Sequence, residues 1–535
     1  MKYKRPFFPR RTLRGAVCLS LAAALCTGCS SLLPAASPHI SRSEAAASLP
    51  YDSTRLEDGK LRILYGPAGG STVLKGGEVV YAASADESVT LLPDTLTQQV
   101  QFFFHSWADN SGEHRRRSAL CDSSGRTLIE FNGEYSATLT GDVLVLQQPV
   151  FVDGEFLGEA SYGSCRVIDL STGSDLPVPE GAYNCLVQGD TLIFSCYDLP
   201  AGLSALDYDP DQTSHLRVEM RSRSGELLHT VPCCYNTLFD NDTPENWVEL
   251  CQYNSSGSPT FLLYNTVTGE ELLNFHQSLG NGIVCYGDPQ NGGALLVDLS
   301  GSEKQVLGSF DQTIDCYVPG YAMSYDFTSN SPFHCILHDL STGETVALYD
   351  YHQADGEAAF YTANGQLLVF DSATGEKITD VTVEPVPGQR RASIFCVGNG
   401  QVSVELQDND DYETTACRVY GPDGLVGDLT AACRRFDYFS PLTRTPEGEA
   451  LFSGTYSGVG GSYLTDVVDS QGNVVIQGLR SVYGYAVNSI NGLPQGVFAA
   501  QQGFYNGWMD SDGSWVYCQS IFTLADDEGG TYYYE

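Results

Sequence analysis

The sequence predicts an all-β fold made of repeated hairpins. Its 535 residues include 55 glycines, 31 tyrosines and 24 phenylalanines but only 4 methionines, a composition rich in turn formers and strand formers. Almost no stretch keeps an apolar period of 3.6 residues without an interrupting Gly or Pro, which argues against long helices. What recurs along the chain is a short alternating strand, a turn and a second strand.

A turn that begins with Asp or Asn and ends with Gly is the visible repeat. The Asp or Asn side chain can accept hydrogen bonds from the backbone that follows it, and Gly supplies the positive φ that closes a hairpin. Apolar residues flank the copies, as at Leu367–Phe370 and at Ile378 and Val381, so each copy is predicted to be a β-hairpin. Ten copies or close variants occur, at residues 122–125, 169–173, 222–225, 265–269, 298–301, 339–343, 371–375, 421–424, 469–472 and 510–513.

The spacing of these turns matches the size of a propeller blade. Successive copies begin 32 to 53 residues apart along the chain, a range that brackets a four-stranded blade. Residues 55–525 are therefore predicted to form one β-propeller of about seven or eight blades. Residues 526–535 are predicted to be an acidic tail that also contains tyrosines.

Two known kinds of repeat share these patterns. Residues 365–375 (GQLLVFDSATG) resemble quinoprotein-type bacterial propeller repeats, in which an Asp-x-x-Thr-Gly turn joins the outer strands. Residues 507–513 (GWMDSDG) resemble a WG repeat, and a weaker copy at 468–475 makes the whole of 465–520 WG-repeat-like. The resemblance implies a propeller architecture. No quinoprotein cofactor residues are recognisable, and the chain has only 4 tryptophans, so no cofactor is expected.

The first 28 residues have the features of a bacterial export signal. They hold six basic residues and no acidic one, and they become apolar from Ala16 to Cys26. This apolar run is too short for a membrane span, which needs about 20 residues. An ordinary secretory signal cleaved near Ala35 and Ala36 is one interpretation of this segment.

A lipid anchor is the favoured interpretation. Residues 25–29 (LCTGC) resemble the lipobox of bacterial lipoproteins, although Cys26 stands where that family usually has a branched aliphatic residue. The resemblance implies that Cys29 is acylated and becomes the N-terminus of the mature protein. Residues 29–54, rich in Ser, Ala and Pro, are then predicted to be a flexible tether.

The mature chain is strongly acidic. The full sequence has a formal charge of −38, and without the six basic residues of the signal 22 Lys plus Arg remain against 66 Asp plus Glu, or −44. Such a protein repels nucleic acid and anionic lipid head groups, so no nucleic-acid partner is expected. Charged partners would be cationic. An acidic charge that serves only solubility is the alternative.

Cysteine is predicted to act as a buried apolar residue and not as a disulfide former. Fourteen of the 17 cysteines follow Cys29. Cys165, Cys335 and Cys417 occupy the same place in different repeats, too far apart for a disulfide, which needs Cα atoms within about 7 Å. We therefore expect most of the fourteen thiols to be reduced and buried.

One loop carries a weak calcium-binding pattern. Asp207, Asp209 and Asp211 place carboxylates at alternate positions, as calcium loops do. The loop lacks a glycine at its sixth position, and Glu219 is one residue too far along for the twelve-residue register. Ca²⁺ held by the three aspartates is the single metal hypothesis, and a solvated turn is the alternative.

These features favour a binding or scaffold role at the cell envelope. The lipid anchor would hold the propeller at the extracytoplasmic face of a cell membrane, beside an envelope protein or glycan that the sequence does not identify. No catalytic motif is found, so the sequence favours binding over catalysis without deciding the question. The alternatives are a propeller enzyme that hydrolyses or lyses extracellular glycans and an envelope assembly factor. Convergent carboxylates would favour the enzyme, whereas an aromatic patch on one face would favour the binder.

Replacing the lipid-bearing residue tests the anchor. The Cys29→Ser variant has no thiol to acylate, so we expect it to leave the membrane fraction and to appear in the soluble extracytoplasmic fraction or the medium. Immunoblots of the separated fractions measure this. Retention of the variant in the membrane fraction would refute lipidation at Cys29.

Overall fold

The structure is a computed structural model. It describes residues 49–66, 70–109, 115–149, 151–152, 155–156, 162–197, 215–236, 243–253, 259–288, 292–301, 303–325, 335–384, 389–408, 414–458, 463–483 and 492–520. All of them belong to one structural unit, Ala46–Asp526. The second unit, Met1–Ala45 with Asp527–Glu535, lies outside the described residues.

The described chain forms antiparallel sheets that follow one another in sequence order, and we number these sheets 1 to 10. Sheet 1 has three strands and sheets 2 to 6 have four each. The bounds are, for sheet 1, β1 Leu61–Tyr65, β2 Ser71–Lys75 and β3 Glu78–Ala83; for sheet 2, β4 Ser88–Pro93, β5 Val100–Asp109, β6 Arg115–Asp122 and β7 Thr127–Asn132; for sheet 3, β8 Ser136–Thr140, β9 Val143–Pro149, β12 Tyr162–Asp169 and β13 Ser174–Asp175, with the separate hairpin β10 Phe151–Val152 and β11 Glu155–Phe156; for sheet 4, β14 Ala182–Gln188, β15 Thr191–Tyr197, β16 Leu216–Ser222 and β17 Leu227–Pro232; for sheet 5, β18 Cys234–Asn236, β19 Trp247–Tyr253, β20 Pro259–Asn265 and β21 Glu271–Leu273; and for sheet 6, β22 Phe275–Ser278, β23 Ile283–Gly287, β24 Ala294–Asp298 and β25 Gln305–Phe310.

Sheet 7 has seven strands because one long strand serves two four-stranded halves. The early part of β29 pairs with β28, and its later part pairs with β30, with a register shift after Leu348. The bounds are β26 Ile314–Val318, β27 Tyr321–Tyr325, β28 Cys335–Asp339, β29 Thr345–Ala354, β30 Glu357–Thr362, β31 Gln366–Asp371 and β32 Lys377–Thr382.

Sheets 8 to 10 return to four strands each, and a short helix, α1, connects sheet 8 to sheet 9. The bounds are, for sheet 8, β33 Gln389–Gly398, β34 Gln401–Asp408, β35 Thr414–Gly421 and β36 Gly424–Asp428; for the helix, α1 Thr430–Arg435; for sheet 9, β37 Tyr438–Arg444, β38 Ala450–Ser457, β39 Tyr463–Asp469 and β40 Val474–Leu479; and for sheet 10, β41 Ser481–Tyr483, β42 Val497–Gln502, β43 Tyr505–Asp510 and β44 Trp515–Ser520. A 3₁₀ turn, Ser53–Leu56, precedes β1. The predicted all-β class is confirmed, and the succession of four-stranded antiparallel sheets is propeller-like.

The ten repeated turns are hairpins, each joining the third strand of a four-stranded unit to its fourth. Eight begin with Asp or Asn, and the other two begin with Ser222 and Gly421. At Asp339 the carboxylate accepts hydrogen bonds from the amides of Ser341 at 2.9 Å and Thr342 at 3.1 Å. Gly343 then takes a φ of +74°, which a residue with a Cβ rarely adopts. The turn is therefore built by residues within five positions of one another, and this is why the sequence alone reveals it.

The second strands have apolar residues on both faces because each sheet packs against two neighbours. In β15, Leu192 and Phe194 join a cluster with Val145 of sheet 3, whereas Ile193 joins a cluster with Val248 of sheet 5. Successive side chains of a strand point to opposite faces, so a strand between two neighbours must be apolar at nearly every position. Each fully buried Leu or Phe contributes about 1.5–3 kcal/mol.

Comparable clusters connect every consecutive pair of sheets, and a last one connects sheet 10 to sheet 1. In this last cluster Trp508, which is 1% exposed, packs with Leu56, Leu64 and Leu74. The amide of Asp52 also donates to the carbonyl of Trp515 at 3.0 Å. The order of packing therefore returns from the end of the chain to its beginning.

The end of the segment assigned to the tether lies in this closing contact. Tyr51 packs edge-to-face on Tyr517 with ring centroids 5.2 Å apart, and Asp52 accepts a hydrogen bond from the amide of Thr54 at the start of the 3₁₀ turn. Arg55 pairs with Asp510 of sheet 10. Among the described residues, no helix has the length and apolar character that crossing a membrane requires.

The fourteen cysteines after Cys29 all lie in the described residues, and no disulfide joins any of them there. Twelve are buried, as the repeat pattern predicts, and Cys233 and Cys433 are half-buried. Burial raises the pKa of the Cys285 thiol to about 11 and that of the Cys316 thiol to about 12, which keeps both protonated near neutral pH.

The contribution of the cluster between sheets 10 and 1 to stability can be measured. Trp508→Ala removes the largest side chain of the cluster between sheets 10 and 1, so we expect the free energy of unfolding to fall by about 3–5 kcal/mol. Urea denaturation followed by tyrosine fluorescence measures it. As a control, Leu96→Ala changes a side chain that is 61% exposed and should stay within about 0.5 kcal/mol of the parent protein. Equal stability of Trp508→Ala and the parent would show that the two sheets do not depend on each other.

Candidate functional site

The site residues predicted from the sequence lie outside the described residues. Cys29 falls in 1–48, and Asp207, Asp209 and Asp211 fall in 198–214, the connection between β15 and β16. Lipidation and calcium binding at these positions therefore stay predictions. In the described part of the chain, no group of three or more His, Cys, Asp or Glu side chains is arranged to hold a metal ion.

A dense group of titratable side chains occurs instead on β29, where the two halves of sheet 7 meet. The later part of this strand reads Asp350-Tyr351-His352, and none of the three side chains is fully buried. Because strand side chains alternate, Asp350 and His352 lie on one face and Tyr351 on the other. One face contacts sheet 8, and the other contacts the first half of sheet 7.

Asp350 and His352 bind the free edge of sheet 8. Strand β33 is the first strand of that sheet, so half of its amides have no partner in the ladder. The amide of Ile394 donates to Asp350 Oδ2 at 2.9 Å, and the amide of Cys396 donates to His352 Nδ1 at 3.2 Å. Asp350 and His352 are two residues apart on β29, and so are the amides of Ile394 and Cys396 on β33. The two side chains therefore accept the hydrogen bonds that a neighbouring strand would otherwise accept.

Burial changes the protonation chemistry of both groups. It raises the pKa of Asp350 above the usual range, against the lowering effect of the hydrogen bond from Ile394. It lowers the pKa of His352. Because Nδ1 of His352 accepts a hydrogen bond, the neutral ring carries its proton on Nε2.

The opposite face of β29 begins a chain of hydrogen bonds that runs through the first half of sheet 7 to sheet 6. The hydroxyl of Tyr351 donates to Asp315 Oδ2 at 2.6 Å and accepts from the hydroxyl of Tyr325 at 3.4 Å. Gln277 of β22 donates to Asp315 Oδ1 at 3.4 Å and to the carbonyl of Ile314 at 2.6 Å. Burial first, and then the bond to the Asp315 carboxylate, raises the pKa of Tyr351 above its usual value.

The same device recurs between other sheets. Gln188, at the end of β14, donates to the carbonyl of Trp247 in sheet 5 at 2.7 Å, and Gln147 of sheet 3 donates to Asn184 of sheet 4. Asp350 and His352 thus belong to a series of side chains whose hydrogen bonds connect neighbouring sheets, and both of these side chains can ionise.

This arrangement does not supply the pair of carboxylates that glycoside hydrolysis needs. Asp350 and Asp315 are bonded on opposite faces of β29, one to an amide and the other to a phenol, so they do not converge on a shared space. The exposed surface beside Asp350 and His352 is the aromatic ring of Phe395. Phe395 is 38% exposed and meets the ring of His352 edge-on at 5.4 Å.

Sequence reasoning did not identify these residues. The available signal was the run Tyr349–Gln353, whose Asp, Tyr and His interrupt the apolar alternation of the neighbouring strands. His338 of β28 is half-buried and hydrogen-bonded to Ser324 Oγ at 2.8 Å.

Two substitutions of one residue separate the hydrogen bond of Asp350 from its charge. Asp350→Ala leaves the amide of buried Ile394 without its acceptor, so we expect a loss of about 1–3 kcal/mol in the free energy of unfolding. Asp350→Asn keeps an acceptor oxygen and removes the titrating group. Because burial raises the folded-state pKa of Asp350, the contribution of this group to stability is full below about pH 4, the ordinary pKa of Asp, and is lost as pH rises through the raised pKa.

The advantage of Asp350→Asn over wild type should therefore be absent below pH 4 and grow toward neutral pH. Urea midpoints measured across this pH range test the expectation. An Asn variant that is less stable than wild type at pH 7 would contradict it.

The chain is similar to several solved structures and to one family model. Among solved structures, BamB from Moraxella catarrhalis matches with 12% identity over 65% of this chain and 91% of its own, at a TM-score of 0.26. A eukaryotic initiation factor matches with 8% identity over 79% and 97%, at a TM-score of 0.33. An uncharacterized protein from Listeria monocytogenes matches with 10% identity over 54% and 95%, at a TM-score of 0.27. No curated protein matches the chain. A family model described as "Domain of unknown function (DUF5046)" matches residues 263–528, from within the third strand of sheet 5 to beyond the end of sheet 10.

Proposed function

We propose that this protein is a lipid-anchored β-propeller that binds an envelope protein or glycan at the extracytoplasmic face of the membrane. The sheets are its blades. The continuous succession of clusters, with sheet 10 packed on sheet 1, supports a single closed propeller. Sheet 1, the eight four-stranded sheets and the two halves of sheet 7 make eleven blades. This propeller is larger than the seven or eight blades that the sequence predicts, and it is our proposal.

In such a propeller the two faces differ. The first strands of all blades run in the same direction, so the connections between second and third strands lie on one face and the Asp/Asn–Gly turns on the other. Connections of the first kind range from residues 503–504 to residues 198–215, whereas the turns are nearly uniform. Variable connections on a rigid scaffold are where binding residues concentrate. We call the first face the variable face.

The observation that carries the proposal is the placement of exposed tyrosines. Tyr65, Tyr438 and Tyr463 are 60%, 68% and 56% exposed, and each stands at a strand end that belongs to the variable face. At the turn end the highly exposed side chains are aliphatic, such as Val267, Val306 and Leu425. Exposed tyrosines offer flat apolar surface and a hydroxyl, which suits stacking against sugars or protein side chains.

Buried tyrosines support this face from below. Tyr183 and Tyr197 stack with centroids 4.3 Å apart, and Tyr235 and Tyr253 lie 6.0 Å apart beside them. Tyr197 ends β15 and Tyr253 ends β19, so this group lies at the strand ends that belong to the variable face. The net charge of −38 favours a neutral or basic partner.

The exposed tyrosines of the variable face favour binding over glycan cleavage. The carboxylates of the candidate site give no support to cleavage, because they are bonded to an amide and a phenol on opposite faces of β29. Ca²⁺ bound by Asp207, Asp209 and Asp211, which lie in the sequence between β15 and β16, is a further part of this proposal. Lipidation at Cys29 supplies the anchor in this proposal.

A matched pair of triple variants tests the variable face. Tyr65→Ala, Tyr438→Ala and Tyr463→Ala together remove three exposed aromatic anchors, so we expect binding to weaken by more than about tenfold. The control combines Val267→Ala, Val306→Ala and Leu425→Ala, which alter equally exposed side chains at the turn end. Binding is measured by pull-down from native envelope and on a glycan array.

Both triple variants should keep the parental circular dichroism spectrum and thermal midpoint, since all six positions are more than half exposed. Equal losses in the two variants would place the binding surface elsewhere. Release of new reducing ends or unsaturated products from peptidoglycan or polysaccharides would favour the enzyme.

A further inference from the structure

Two cysteines are brought together where sheet 8 leads into sheet 9. Cys417 lies on β35, the third strand of sheet 8, at the position that repeats in other sheets. Cys433 lies on α1, which has no counterpart between the other sheets of the described chain. Both side chains belong to one cluster with Val419, Leu429 and Phe452.

Backbone hydrogen bonds fix the helix opposite Cys417. The amide of Leu429 donates to the carbonyl of Cys417 at 2.7 Å, and the amide of Cys417 donates to Thr430 Oγ1 at 3.1 Å. The amide of Cys433 then donates to the carbonyl of Leu429 at 2.8 Å. Residues three and four apart share a helix face, so Cys433 lies on the face of Thr430 and Leu429 that meets Cys417.

The two thiols are close enough to interact directly. A hydrogen bond with the Cys433 thiol is the largest cause that raises the pKa of Cys417, and burial adds to it. Cys165, Cys185 and Cys196 form a second group of neighbouring thiols, all of them buried. Cys233, Cys234 and Cys251 form a third, in which Cys233 is half-buried and adjacent in sequence to Cys234. Cys433 is half-buried, so the pair at α1 combines a neighbouring thiol with access from solvent.

We propose that Cys417 and Cys433 are a disulfide-forming pair, closed by exchange with a disulfide oxidant. The oxidant's S–S bond breaks as one of its sulfurs bonds to Cys433 Sγ and its other sulfur leaves as a thiol. Cys417 Sγ then attacks Cys433 Sγ and releases the second sulfur as a thiol. Two protein thiols are oxidised and one oxidant disulfide is reduced, and the protons lost from the two cysteines are those gained by the two released thiols.

The bond would link the third strand of sheet 8 to the connection into sheet 9. It closes the segment from 417 to 433 and restricts the unfolded chain there, so the oxidised protein is the more stable form. The repeat-position cysteines stay reduced, because their counterparts lie in other sheets. Cys417 differs from the repeat-position Cys335 in that α1 supplies a neighbouring thiol from outside the repeat.

Peptide mapping of the full chain after treatment with oxidised glutathione tests the pair. We expect a cross-linked peptide that contains Cys417 and Cys433, with the loss of two hydrogen atoms, and the other twelve described cysteines still open to alkylation in denaturant. Thermal unfolding should show a higher midpoint for the oxidised chain than for the reduced chain. Alkylation of both cysteines after oxidation, or a glutathione adduct that persists on Cys433, would overturn the proposal.

Two variants keep the test decisive. Cys433→Ser changes a half-buried residue and should abolish both the cross-link and the oxidation-dependent shift in midpoint. Cys335→Ala alters the corresponding third-strand cysteine of sheet 7 and should leave both unchanged. A midpoint shift that persists in Cys433→Ser, or that is lost in Cys335→Ala, would assign the effect to another pair.

Discussion

The requirement that each sheet bury two apolar faces governs this structure. A strand such as β15 sends Phe194 toward sheet 3 and Ile193 toward sheet 5, so sheet 4 cannot be stable without both neighbours. The same holds along the chain until the last sheet, whose Trp508 needs the apolar residues of the first. Stability is therefore shared by all sheets, and the contact between sheets 10 and 1 removes the two uncovered faces that an open row would leave.

A second requirement follows at the free edges of the first strands. Their amides and carbonyls have a ladder partner on one side only, and the neighbouring sheet satisfies some of them with side chains. Asp350 and His352 serve Ile394 and Cys396, and Gln277 serves Ile314. Perturbed pKa values are often read as signs of catalysis. Here the shifts of Asp350 and His352 follow from the burial of polar groups that hydrogen-bond the edge of sheet 8.

The connections between strands vary from sheet to sheet, whereas the four-stranded sheets that carry them are alike. Turns built on Asp339 and its equivalents repeat one geometry, whereas the connections between second and third strands differ in length from sheet to sheet. The exposed tyrosines belong to the variable ends, and the helix α1 is a further departure from the repeat. The variable face and the pair Cys417 and Cys433 therefore both depend on features that the repeat does not require.

The sequence by itself determined the β class and the position of ten hairpins, because an Asp–backbone hydrogen bond and a glycine with positive φ act within five residues. It also indicated that cysteine is buried, since Cys335 recurs among strand apolars. Tertiary structure decided the rest: the continuous strand β29, the bond between Asp350 and Ile394, and the meeting of Cys417 with Cys433. These depend on how separate sheets and a helix pack, and no local period encodes the distance between residues that lie on different elements.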